Sequence, residues 1–138
     1  VDNFYHWQRQ HWRTLETAYR SSPFFEFYED DLVELYTTEH KYLLDFNLKS
    51  IEAICGCLQI PMPLENTSKF EKEPMDFVDA RILINSKTNP PLVQEPYVQV
   101  FDDRNPFIEN LSILDLLFNE GTNALTYLRK HNLNLKDA

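Results

Sequence analysis

Residues 97–121 read YVQVFDDRNPFIENLSILDLLFNEG: an extended aromatic run, a polar turn, and a short apolar helix stopped by a glycine. Tyr97, Gln99 and Phe101 alternate with Val98 and Val100, which is strand periodicity and predicts a short β element near residues 97–101. Residues 64–70 are its candidate partner strand. Pro106 breaks the run. Asn110 or Ser112 can cap the following helix, and Ser112 and Asp115 have the S-x-x-D spacing of a capping box. Gly121 stands where a residue of left-handed conformation closes a helix.

Working outward, helical spacing dominates. Residues 7–20 predict a helix with Trp12, Leu15 and Tyr19 on one stripe and Trp7, His11 and Ala18 widening it. Ser22 as N-cap and Pro23 at the first helical position predict a short helix through Tyr28. Asp30 or Asp31 can then open a further turn or two around Leu32 and Leu35. The clearest helix spans residues 41–58, where Leu44, Leu48, Ile51, Cys55 and Leu58 form an apolar seam. Leu43, Phe46 and Ile54 broaden that seam, so this helix is expected to be central, with Pro61 and Pro63 ending it. Residues 61–76 read as a connector and 85–91 as a loop. Thr122 or Asn123 begins a last helix to about Lys130, and the tail beyond His131 is expected to fray. The expected fold is mainly α, a single helical domain of four or five helices with the short β element.

Composition excludes several functions. Gly56 and Gly121 are the only glycines, too few for a dinucleotide fingerprint or a P-loop. A bound phosphate must therefore use arginines or a helix N-terminus. The formal net charge is −9, with acids clustered at Glu26, Glu29, Asp30, Asp31 and Glu34 and no compensating basic stripe. Nucleic acid and an anionic membrane surface are disfavoured as partners. Cys55 and Cys57 would face different ways on a helix, which suits neither a mutual disulfide nor, without paired histidines, a zinc site. No cofactor and no metal are expected. No apolar run reaches the length of a membrane span, and a reduced cytoplasm is the expected location. Val1 reads as an internal or processed start.

Three ordered blocks resemble the WbqC-like family, proteins associated with bacterial surface-polysaccharide (O-antigen) gene clusters. The first is Gln10-His11-Trp12-Arg13 with Ala18-Tyr19 and Ser22-Pro23-Phe24-Phe25. The second is Leu44-Asp45-Phe46-Asn47-Leu48, and the third is Tyr97-x-Gln99 with the string from Asn110 to Gly121. Family members carry a further N-terminal segment, so residues 1–138 are expected to form a WbqC-like domain that is N-terminally incomplete. Glycine-containing text in the middle of other members has no counterpart in residues 61–91, which contain no glycine. The resemblance implies polysaccharide biosynthesis, by acyl or aminoacyl transfer to a nucleotide-linked amino sugar. The alternative is a non-catalytic helical module that binds a protein of the same pathway.

Each candidate residue carries two readings. His11 is either a general base on a sugar amine or a packed helix histidine, since an imidazole titrates near neutrality. Arg13, with Arg104 from the strand-end turn, either clamps an anionic group or stays an exposed cation. Asn47 is a ligand contact or a structural amide beside Asp45, which Lys41 and Lys49 flank as in a solvated ladder. Tyr97 and Gln99 orient a sugar ring or face the core. Asp115 is a buried acid or base, or the capping partner of Ser112. Gln10 enters as a substrate contact through the resemblance alone.

Overall fold

The computed structural model describes residues 1, 4–63, 65–74, 78–84 and 93–131. Among them are five α-helices: α1 (Trp7–Tyr19), α2 (Phe25–Thr37), α3 (Leu43–Cys57), α4 (Ile113–Glu120) and α5 (Ala124–Lys130). Short 3-10 helices cover Arg81–Ile84 and Gly121–Asn123. The fold is mainly helical, as the periodicity predicts. The loop expected at 85–91 and the tail beyond His131 lie outside the described residues.

The centre belongs to α2. Phe25, Tyr28, Leu32 and Leu35 are its buried residues, on one stripe at spacings of three, four and three. That stripe runs unbroken past Asp30 and Asp31, so the two short helices expected here form one. The acids cannot interrupt it, because they face solvent and neither glycine nor proline intervenes. Helices α1, α3 and α4 all pack on α2, and the shared core adds Leu116, Leu117, Phe118, Ala124 and Tyr127 from α4 and beyond. Trp12 and Tyr19 bring α1 onto it, the latter with its ring centroid 5.1 Å from that of Phe118.

The expectation that residues 41–58 form the central helix is overturned. In α3 only Cys55 is buried, while Leu43 and Leu44 are 62% and 66% exposed. Its seam is amphipathic as read, but α2 covers one face, Trp7 of α1 reaches it only at Phe46, with ring centroids 5.3 Å apart, and Leu43, Leu44 and Ile51 stay exposed. Nor do the prolines end α3. Gln59 takes a φ of 56°, its N–H bonds the Gly56 carbonyl at 3.0 Å, and the Ile60 N–H bonds the Cys55 carbonyl at 3.0 Å. This is a Schellman stop built on glutamine.

The expected β element is also corrected. Residues 93–99 form neither a strand ladder nor a helix, and the chain turns at 100–104. The expected partner at 64–70 is irregular where described. Side-chain bonds, described below, replace ladder pairing. Ser22, expected as N-cap of α2, makes no cap bond, and its hydroxyl is buried without a partner among the described residues. Phe24 holds the cap position instead, with its N–H bonded to the Phe118 carbonyl at 3.0 Å. A tertiary tie between the start of α2 and the end of α4 overrides the local capping preference. Ser112 does cap α4, accepting from the Leu114 N–H, and Gly121 closes that helix with φ 56°. No helix among the described residues is long and apolar enough to cross a membrane.

Candidate functional site

His6, Gln10, Arg13 and Thr17 follow one another at spacings of four, three and four, so they share the face of α1 turned away from α2. With Arg9 and Phe101 they line a shallow, open cleft of about 800 Å3. Thr14 and Thr17 turn their hydroxyl protons back onto the carbonyls of Gln10 and Arg13, at 2.9 and 2.7 Å. The donors left to meet a ligand are therefore the guanidinium groups, the Gln10 amide and His6. Arg20, Arg81 and Arg104 are each paired with an acid, whereas Arg9 and Arg13 pair with no described residue. In a chain of net charge −9 this is a local cationic surface.

Phe101 reaches the cleft because of the two residues at its side. Gln99, 7% exposed, spends its amide on one stretch of backbone: Nε2 donates to the Ile108 carbonyl at 2.8 Å, and Oε1 accepts the Ile108 N–H at 3.0 Å. Tyr97 donates its hydroxyl to Asp115 Oδ2 at 2.7 Å. The turn then closes, the Arg104 and Asn105 N–H groups bonding the Phe101 carbonyl at 3.1 and 3.0 Å.

Asp115 is only 1% exposed and does not reach back to cap α4. Its carboxylate accepts from Tyr97 and faces the Tyr19 hydroxyl, and no Lys, Arg or His among the described residues pairs with it. Burial, then the Asp115 charge and a hydrogen bond to it, push Tyr19 up to about 12. Burial, then the bond to Asp115, hold Tyr97 well above the ordinary tyrosine range as well.

These shifts carry a sign. A hydroxyl harder to ionise in the folded state stabilises fully below its unfolded value near 10 and ceases to do so as pH rises through its folded value. Stability should therefore fall from about pH 10 upward. Denaturant midpoints measured alongside tyrosinate absorbance check this, and Tyr97→Phe should flatten the loss. An unchanged alkaline limb in that variant would show that other groups control it.

Of the residues named from the sequence, Gln10 and Arg13 meet in the cleft. His11 does not line it; it is exposed, with its ring edge-on to Trp7 at 5.4 Å. Arg104 is exposed and paired with Asp103 at 3.1 Å, away from Arg13's cleft lining. Asn47 is exposed on α3. Tyr97, Gln99 and Asp115 stand behind the turn that carries Phe101. His6 and Arg9 join the cleft as well; His6 continues the spacing of Gln10, Arg13 and Thr17, and Arg9 stands one turn before Arg13. Among the described residues no three His, Cys, Asp or Glu side chains group as metal ligands do.

Comparison with known proteins finds relatives of this chain by sequence. An uncharacterized protein of Mycobacterium tuberculosis, Rv1507c, is 28% identical over 149 residues, covering 89% of this chain and 64% of that protein. The chain thus spans somewhat under two thirds of the length of the curated relative it matches. No solved structure matches. The WbqC-like protein family matches residues 1–90, a stretch that includes α1 and its cationic face together with α2 and α3. That match extends over well more than half of the sequence, and the chain belongs to the WbqC-like protein family.

Proposed function

We propose that this protein serves bacterial surface-polysaccharide biosynthesis in the cytoplasm, binding a nucleotide-linked amino sugar in the α1 cleft for acyl or aminoacyl transfer. The observation that supports the reading is the pair of guanidinium groups of Arg9 and Arg13, unpaired among the described residues, in an open cleft of about 800 Å3 that Phe101 also lines. Two arginines one helical turn apart suit the diphosphate of a nucleotide sugar, and Phe101 offers a flat face to a sugar or base. Gln10 would orient the ring by a hydrogen bond. His6, in the cleft lining, is better placed than His11 to take a proton from the sugar amine. Arg104 would assist only by leaving Asp103, and Asn47 has no role in this cleft. Tyr97, Gln99 and Asp115 would position the Phe101 turn without touching the ligand.

Titration calorimetry with uridine-diphosphate amino sugars tests this. A charge-assisted hydrogen bond contributes about 1.5–3 kcal/mol, so Arg13→Ala should weaken binding roughly 10- to 150-fold. Arg13 is exposed, and the variant should keep its fold. Binding that survives both Arg9→Ala and Arg13→Ala, or no binding of any such ligand, would overturn the proposal.

A second reading draws on a different observation. Leu43, Leu44 and Ile51 leave an apolar strip of α3 exposed, as a module that supports pathway enzymes by protein contact would need.

A further inference from the structure

A second chamber lies apart from the cationic cleft, between the 3-10 helix Arg81–Ile84, the segment 93–99, the loop at 110–111, and helices α4 and α5. Its volume is about 340 Å3. Leu83, Leu111, Ile113, Leu116 and Leu128 give it an apolar lining, which Tyr97 and Tyr127 extend with aromatic rings. The described lining holds no Lys, Arg, Asp or Glu. An ion placed there would lose its hydration with no counter-charge to replace it.

The polar atoms of the aromatic wall are already committed. Tyr97 donates to Asp115, and Tyr127 donates to the Glu95 carbonyl at 2.5 Å. His131 accepts the Glu95 N–H at Nε2, at 3.0 Å, so Nδ1 carries the proton that goes to the Tyr127 carbonyl at 2.8 Å. What these rings present to the chamber is carbon.

Two side-chain amides complete the polar lining, those of Gln94 and Asn110. Gln94 Oε1 accepts the Asn110 backbone N–H, which fixes that amide and leaves its NH2 as a donor. An acceptor on the ligand is the complement of such a donor. The volume equals that of roughly ten waters at ~30 Å3 each, the room a chain of about six to eight carbons requires.

We propose that this chamber binds an uncharged acyl chain of medium length through its apolar walls, with the acyl carbonyl bonded to the Gln94 amide. The site stands independently of anion binding in the α1 cleft. It has the make-up of a small-molecule pocket, mostly apolar with few convergent polar groups.

The probe is octanamide, compared with octanoate and octylammonium of equal chain length, followed by ligand-observed NMR and by thermal shift. Leu128 and Leu111 sit at the rim, 37% and 39% exposed, so tryptophan at either position can block the chamber without entering the core. Saturable octanamide binding, at least about tenfold tighter than either ion, should disappear in Leu128→Trp and persist in Arg13→Ala. Leu111→Trp serves the same purpose if Leu128→Trp proves unfolded. Absence of saturable octanamide binding would overturn the proposal. So would equal binding of the ions, or retention by a folded rim variant.

Discussion

Replacing Gly121 by alanine is expected to destabilise the protein by about 2–6 kcal/mol. Two causes act together. Gly121 has φ 56° and ψ −126°, a conformation that an L side chain resists by about 1–3 kcal/mol. A Cβ there would also lie 2.6 Å from the Phe24 ring, and overpacking costs about another 1–3 kcal/mol. The Phe24 main chain is held by its N–H bond to the Phe118 carbonyl where α2 begins, so relief requires the ring itself to leave its packed position. The melting temperature should drop by roughly 10–20 °C. Gly56→Ala is the control of opposite sign. Nothing lies within 4 Å of a Cβ at that helical position, so alanine should stabilise by about 0.5–1 kcal/mol. Denaturant titration of both variants decides the matter, and similar midpoints for the two would refute this account of the α4 stop.

Asp115→Ala should cost about 2–4 kcal/mol, whereas Asp115→Asn should cost no more than about 1. The carboxylate is sealed between Tyr19 and Tyr97 with no cation among the described residues. Alanine leaves a buried tyrosine hydroxyl without its acceptor and opens a void. Asparagine keeps an acceptor oxygen and removes an unpaired buried charge, two changes that offset one another. Both variants should let Tyr97 ionise more readily, since the neighbouring negative charge is gone. Equal losses for alanine and asparagine would mean that the charge itself holds the site together. The same network carries the turn bearing Phe101, so Asp115→Ala should weaken cleft binding along with stability, and Asp115→Asn should spare both.

Much of the helical content was legible because it rests on local periodicity. The stripe of Trp12, Leu15 and Tyr19, the Ser112 cap and the Gly121 stop are written within a turn or two of where they act. The strand reading of residues 97–101 failed for a physical reason. Alternation reports which side chains turn the same way, and it cannot tell a ladder from an unpaired segment held by Tyr97 and Gln99 through their own side chains. The candidate site was legible in halves. Gln10 and Arg13 stood out, while the partner ring, Phe101, comes from nearly ninety residues further along the chain and meets them only after folding.

From the residues alone follow the mainly helical class, the absence of a glycine-rich phosphate loop, and the family blocks from Gln10 onward. Which helix is central was decided by tertiary structure alone. The seam of α3 reads as more apolar than the stripe of α2, yet α2 is covered by three helices and α3 leaves Leu43 and Leu44 in solvent. Burial depends on which neighbours cover a face, and that is a property of the assembled chain. The same distinction separates Asp115 from a helix cap. Its spacing to Ser112 is local, but its partners, Tyr19 and Tyr97, come from distant segments, and a sealed carboxylate takes the donors that packing brings to it.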